Sequence, residues 1–337
     1  MKTDRLCSEF PEESTVLPDG APTYSRKAFL HRFLLLAGAA TITLPAPMQL
    51  SRLFGAPRPD QELRKRPIPA YGESIPIVGL GTWRAFDYDD PASLVQLRTV
   101  LELFHAAGGR VIDTSPMYGL AEEVIGRLRG DLDPESPNAL DLFTATKVWT
   151  SGYSEGRHQI QKSFSLLREI DLLQVHNMLD LETHWPYLEE LKATGKIRYT
   201  GITHYTESAY EQLMVSIRKY RPDFVQFNYS VLDREAEARL LPLCMENRVA
   251  VLINRPFGGG QLFQKTKGKN LPDWMRSMGI LSWSNAMLKF VLSHPAVTCV
   301  IPGTGKPDHI LDNLNAARGE LPDQEGRERI ADYFKSL

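Results

Sequence analysis

Cysteine is scarce. The chain has three in 337 residues, Cys7, Cys244 and Cys299, too far apart to imply a disulfide framework or a metal-binding set. Net charge is also small, and a formal value of -2 disfavours nucleic acid as the main partner. No spanning hydrophobic run is evident. As a helix, the uncharged run Phe33 to Leu44 would cover ~18 Å, well short of a ~30 Å hydrocarbon core, so no stable membrane span is expected. The glycine fingerprint of an open dinucleotide-binding sheet is incomplete, because Arg84 stands where the third glycine would follow Gly79 and Gly81. Gly258-Gly259-Gly260 lacks the lysine and hydroxyl that would complete a Walker loop. Of the histidines, His105, His158, His184 and His294 fall on expected helices or their ends without ligand spacing, and no metal is expected.

What is present begins with a leader. Residues 1–24 are polar and aperiodic, and Ser25-Arg26-Lys27-Ala28-Phe29-Leu30 then precedes the apolar run. The segment from about 25 to 47 resembles a twin-arginine export signal with lysine at the second arginine, which implies the export machinery as a partner and a periplasmic or exported location. The alternative is a cytoplasmic leader with an incidental apolar patch. Residues 1–60 are therefore assigned to targeting and linker, and the proline-rich stretch 45–70 as a whole reads as linker.

From residue 71 to 337 the pattern is strand, helix, strand, helix. Apolar runs occur at 75–79, 111–114, 142–147, 172–176, 199–203, 224–228, 250–254 and 298–302. Eight runs, mostly 24 to 34 residues apart, imply parallel strands with crossover helices, hence an α/β (β/α)8 TIM barrel. The first helix illustrates the local logic. Asp90 is placed to cap it, Pro91 fits its first position and Gly108-Gly109 stops it, while Leu94, Leu97, Leu101 and Phe104 form one face.

Polar residues recur at the carboxyl ends of these runs, where a barrel gathers its chemistry. Four of them form one acid-base set: Asp113, Tyr118, Lys147 and His176. A phenol has an ordinary pKa of ~10 and needs a nearby cation to become an efficient acid near neutrality. An ammonium at ~4 Å in an effective dielectric of ~20 contributes roughly 4 kcal/mol before desolvation is counted. Lys147 is that candidate cation. Buried alone it would shed its proton, and Asp113 supplies the counter-charge.

These residues resemble the aldo-keto reductase superfamily, from about Ile75 to Ala317. The resemblance rests on GLGTW at 79–83, DTSPMYG at 113–119, the strand ends at Lys147 and His176, and IPGT at 301–304. It implies hydride transfer between a nicotinamide cofactor and a carbonyl or alcohol, with Tyr118 as general acid, Asp113 and Lys147 tuning it, and His176 orienting the carbonyl. It also implies a cofactor site from Gly81, Thr82 and Trp83 to Thr203, His204 and Gln226, with Asn254 where the family has a stacking aromatic. Arg255 and the following glycines would approach the pyrophosphate. Gly303, Thr304, Lys306, His309, Asp312 and Asn313 would hold the adenosine end, with one lysine favouring NADP(H) modestly while NAD(H) stays possible. Trp83, Trp149 and Tyr153 are candidates for the substrate pocket; Trp149 and Tyr153 equally suit packing under their own loop. Trp274 and Trp283 suit either a lid or structural packing.

The expected function is thus an exported, monomeric oxidoreductase with a small carbonyl or alcohol substrate. The alternative is a catalytically weak nicotinamide-binding regulatory or sensor subunit on the same barrel. A metal-dependent barrel hydrolase lacks a ligand cluster.

Overall fold

The computed structural model of the protein describes residues 62–130 and 140–337; the export signal expected at 25–47 lies outside the described residues. The chain opens with an antiparallel hairpin, Lys65–Pro67 (β1) and Ser74–Pro76 (β2). There follow Leu80–Gly81 (β3), Pro91–Ala106 (α1), Val111–Asp113 (β4), Ala121–Gly130 (α2), Phe143–Val148 (β5), Tyr153–Leu167 (α3) and Leu172–Val175 (β6). Leu181–Ala193 (α4), Tyr199–Thr203 (β7), Tyr210–Tyr220 (α5), Phe224–Asn228 (β8), Leu240–Glu246 (α6) and Ala250–Asn254 (β9) continue the alternation. The final turn of the barrel holds Gln261–Thr266 (α7), Asp273–Ser277 (α8), Trp283–Leu292 (α9), Cys299–Val300 (β10), Pro307–Asn315 (α10) and Gln324–Ser336 (α11).

Strands β3 to β10 pair as parallel neighbours in chain order, and bridges Val78–Val300 and Gly81–Gly303 join the last to the first. The sheet closes into a (β/α)8 barrel. Closure explains Gly81, because a Cβ there would sit 2.7 Å from the Ile301 carbonyl oxygen. The first strand begins later than the apolar run 75–79 suggests: Ser74–Pro76 turns back to pair with Lys65–Pro67, inside the stretch expected to be linker. Pro76 lacks an N–H and does not suit the centre of a parallel ladder.

Alternation along each strand sorts the side chains. Val111, Phe143, Ala145, Leu172, Phe224, Ala250 and Leu252 point into the barrel and pack together, while Ile112, Leu173, Val225, Val251 and Ile253 join the layer beneath the helices. The same alternation carries Asp113, Lys147, Gln174 and Gln226 inward at the upper end, where they touch one another. The interior is therefore apolar low down and charged at the mouth.

The hairpin closes the low end. Ile68, in its turn, is fully buried within the interior cluster. Around it runs a polar collar. Tyr71 donates to Asp223, Lys192 Nζ lies 2.7 Å from the Tyr71 oxygen and 2.6 Å from Asp223 Oδ2, and Thr200 donates its backbone N–H to the same oxygen at 2.8 Å. Arg198 pairs with Glu73 and, at 2.9 Å, with Asp171.

Helix α1 forms as its sequence directs. Asp90 Oδ1 accepts from the Ser93 N–H at 3.0 Å, Pro91 occupies the first turn, and Leu94, Leu97, Leu101 and Phe104 are buried. Gly108, at φ 98, turns the chain out of the helix, and a Cβ on Gly109 would lie 2.3 Å from the Phe104 ring. Trp283 stacks on Tyr333 of α11 at 6.1 Å and Trp274 meets the same ring at 6.0 Å, so both tryptophans pack against the C-terminal helix.

Candidate active site

Asp113 closes β4, Lys147 lies near the end of β5, His176 follows β6 and Tyr118 lies in the loop after β4. Lys147 is 0% exposed, and its Nζ donates to Asp113 Oδ2 and to the Thr114 carbonyl, both at 2.7 Å. The other Asp113 oxygen accepts from the side-chain amides of Gln226 at 3.0 Å and Gln174 at 3.3 Å. The carboxylate is held on both oxygens. Lys147 lies 5.0 Å from the Tyr118 ring centroid and also interacts with the phenol oxygen. The rings of Tyr118 and His176 meet edge to face at 5.8 Å. All four acid-base residues come together.

Their electrostatics follow from burial. Desolvation alone would lower Lys147, but Asp113 and Tyr118 more than compensate and keep its pKa above the ordinary lysine value. Burial raises the Tyr118 phenol, Asp113 adds to the rise, and Lys147 only partly opposes it. The net direction is opposite to that expected from the lysine alone, because the phenol is desolvated along with its partner. Burial, then the nearby Lys147 and His204, pushes the His176 imidazolium down to about 2. His176 is therefore neutral at working pH, and its Nδ1 lies 3.1 Å from Ser115 Oγ.

Behind β5, Thr146 donates to Glu122 Oε1 at 2.5 Å and Ser163 to Oε2 at 3.1 Å. Burial raises the Glu122 pKa, and Lys147 is among the charges that oppose the rise. Neither Glu122 nor Ser115 nor Gln174 stood out in the sequence, although Gln174 had a signal: it precedes His176 by two positions and so shares its face.

The pocket aromatics divide. The Trp149 ring lies 6.5 Å from the His176 ring. Its backbone is fixed by Gln159, which accepts from the Trp149 N–H at 2.6 Å and donates to its carbonyl at 3.2 Å. Trp83 is 49% exposed on the loop after β3, with the Arg84 guanidinium 4.4 Å above its ring. Tyr153 instead belongs to its own helix, where its oxygen accepts from Arg157 at 2.7 Å.

The residues named for the cofactor also have distinct positions. Thr82 is buried and donates through both N–H and hydroxyl to the Asp113 carbonyl, at 3.1 and 3.0 Å. Thr203 is buried at the end of β7. His204 Nδ1 accepts from the Thr206 N–H at 3.2 Å, and burial lowers its pKa, so its proton sits on Nε2 as a donor. Asn254 Oδ1 and Asn177 Oδ1 are buried without a partner among the described residues. Such orphaned acceptors at strand ends suit a ligand that brings amide donors. Arg255 is exposed, 5.8 Å from the Tyr205 ring, and a Cβ on Gly259 would lie 3.0 Å from its guanidinium. Gly303 and Lys306 are exposed, Thr304 Oγ1 accepts from the Lys306 N–H at 3.1 Å, His309 lies 4.0 Å from Asp308, and Asn313 is buried. Asp312 is committed elsewhere: Ser282 donates at 2.8 Å, and Ser284 and Asn285 also bond to it, all at the start of α9.

An anchored cation, a protonated phenol and a neutral imidazole around one opening suit general acid-base chemistry on a barrel scaffold. The family model described as "Aldo/keto reductase family" matches residues 77–329, and the chain belongs to that family. It is 26% identical over 314 residues to "Uncharacterized oxidoreductase YqkF" of Bacillus subtilis, covering 81% of this chain and 97% of that protein. Identity to the "NADH-specific methylglyoxal reductase" of Escherichia coli is 28% over 332 residues, 78% of this chain and 96% of that one. Among solved structures, the thermostable aldo-keto reductase Tm1743 aligns with a TM-score of 0.66 at 24% identity, covering 80% of this chain and 99% of that one. The Klebsiella pneumoniae aldo/keto reductase, solved with NADP and acetate, gives 0.64 at 24% identity over 78% and 93%. These structures support the fold, and the family and its oxidoreductase relatives make this chain an oxidoreductase.

Proposed function

We propose that the protein is an NADP(H)-dependent reductase of a carbonyl substrate, with Tyr118 as the general acid and the alcohol as the substrate of the reverse reaction. The observation that carries this reading is the setting of Lys147: sealed from solvent, neutralised by Asp113, and in reach of the Tyr118 phenol. The bound nicotinamide cofactor would exchange the hydride. The protein's residues manage the proton. Because burial raises the phenol's pKa, Tyr118 keeps its proton at neutral pH, which is the state that carbonyl reduction requires. Lys147 stabilises the phenolate as the proton leaves, and Asp113, held by three donors, keeps Lys147 charged. Neutral His176 has one N–H with which to orient the carbonyl oxygen.

Thr203, His204, Gln226 and Asn254 are the residues for the nicotinamide amide. Arg255 and the glycines after it are those for the pyrophosphate. Lys306, with His309 and Asn313, would serve the adenosine end, where one lysine supports a modest preference for the 2'-phosphate. Asp312 would act only through the start of α9. Competitive titration of NADPH and NADH measures that preference, and tighter NADH binding reverses it.

Loss of NADPH absorbance over an aldehyde panel tests the reaction, with Tyr118→Phe as control. Equal turnover by the variant rejects Tyr118 as the acid. Tight NADPH binding without turnover by the parent chain would instead favour a nicotinamide-sensing subunit. We further infer that residues 1–60 direct export of the folded, cofactor-loaded monomer. A reporter fused after residue 60 and found only in the cytoplasm overturns this, and equilibrium sedimentation reads the oligomeric state.

A further inference from the structure

Ser115 sits between the catalytic carboxylate and the phenol in sequence, yet its side chain belongs to neither. It is 0% exposed, and its Oγ lies 3.1 Å from His176 Nδ1, across 61 positions of the chain. The same oxygen accepts the Met117 backbone N–H at 3.4 Å. A neutral imidazole carries one proton, and the contact is satisfied with that proton on either nitrogen. Counting donors separates the two. If Nδ1 held the proton, Ser115 Oγ would accept from both Nδ1 and Met117, and its own buried hydrogen would have no acceptor among the described residues. With the proton on Nε2, the hydroxyl donates to Nδ1 and still accepts from Met117, so every group is used. His176 Nε2 has no hydrogen-bond partner among the described residues, and its ring is flanked by Tyr118 at 5.8 Å and Trp149 at 6.5 Å.

We propose that Ser115 is a positioning residue for carbonyl reduction: its hydroxyl donates to His176 Nδ1 and fixes the imidazole proton on Nε2, the nitrogen turned toward the substrate. The wrong tautomer would present a lone pair to the carbonyl oxygen, which also offers only lone pairs. Ser115 thus decides whether His176 attracts or repels the group it must orient. This role rests on the reductase reading above, but the tautomer itself does not.

The test uses the full chain with ring-15N histidine and long-range proton–nitrogen NMR, without cofactor and with NADP+ added. A His176→Gln spectrum assigns the signals. The parent protein is expected to show His176 protonated on Nε2 in both states across neutral pH. Ser115→Ala should give a tautomer mixture and a roughly 3- to 10-fold fall in kcat/KM with NADPH affinity unchanged, the size expected for one buried hydrogen bond. Ser115→Thr, which restores a hydroxyl, should recover both readouts. A parent His176 protonated on Nδ1 overturns the proposal without need of any variant. So does an unchanged tautomer in Ser115→Ala, or a changed one with undiminished kcat/KM. If no carbonyl is reduced by the parent chain, the positioning role in reduction falls with the reductase reading, while the spectra still decide which nitrogen carries the proton.

Discussion

At each end of this barrel a tyrosine, a lysine and an aspartate are in contact, and the two sets differ in what remains unused. At the floor, Tyr71 spends its proton on Asp223, Lys192 bonds to both, and Thr200 completes the carboxylate. Tyr71 is 48% exposed, and its proton and the Lys192 ammonium are both taken up within this set. At the mouth, two glutamine amides and Lys147 fill Asp113, and the Tyr118 proton is not taken by the carboxylate. The residue types are the same. Reactivity depends on whether the surrounding amides satisfy the acid so that the phenol need not.

The sharpest way to break the comparison is to delete one hydroxyl at each end. Tyr118→Phe is expected to lower reductive kcat roughly 100- to 10,000-fold with NADPH binding retained, whereas Tyr71→Phe should leave turnover unchanged; steady-state kinetics of both check this. Removing the cations comes next. Lys147→Met strands a buried carboxylate and should cost roughly 3–5 kcal/mol of stability in urea unfolding. Lys192→Met should cost about 1–3 kcal/mol, because Asp223 retains Thr200 and Tyr71. Equal losses would show that the two pairs are equally sealed.

Titration sharpens the contrast further. Since the folded Tyr118 pKa is raised, reduction should hold steady through neutral pH and fall only as pH rises through the phenol's pKa, while alcohol oxidation should climb over that range. His176 supplies a stability signature. Its pKa is depressed to about 2 in the folded protein, against an ordinary value near 6.5, so the unfolded chain binds the extra proton between them. That contribution is present above about pH 6.5 and is lost as pH falls toward 2, and His176→Asn should flatten the acid side of a stability-versus-pH curve. The smallest effect is the structural cost of Tyr71→Phe, about 1 kcal/mol, measured by the same unfolding.

Much of this was legible before any coordinates. The spacing of eight apolar runs pointed to the barrel, and the polar residues at their carboxyl ends pointed to Asp113, Lys147 and His176 at one opening, because parallel strands set those ends on one face of the barrel. The hairpin was hidden, since Lys-Arg-Pro and Ser-Ile-Pro are three-residue, proline-bearing segments, too short to carry a clear strand pattern. The direction of the Tyr118 shift was hidden too, because burial of the phenol depends on the whole loop. Asp312 shows the limit of resemblance: its carboxylate meets Ser282 thirty positions away, which no local pattern announces.

The seal at the low end also sets where the polypeptide tolerates cutting. Ile68 acts as a stopper, and Leu63 just ahead of it is buried with the outer layer. Proteolytic trimming at residue 60 leaves that stopper seated. Trimming at residue 70 would pull it out and wet Phe143 and Phe224, so the closed barrel needs the chain from Leu63 onward.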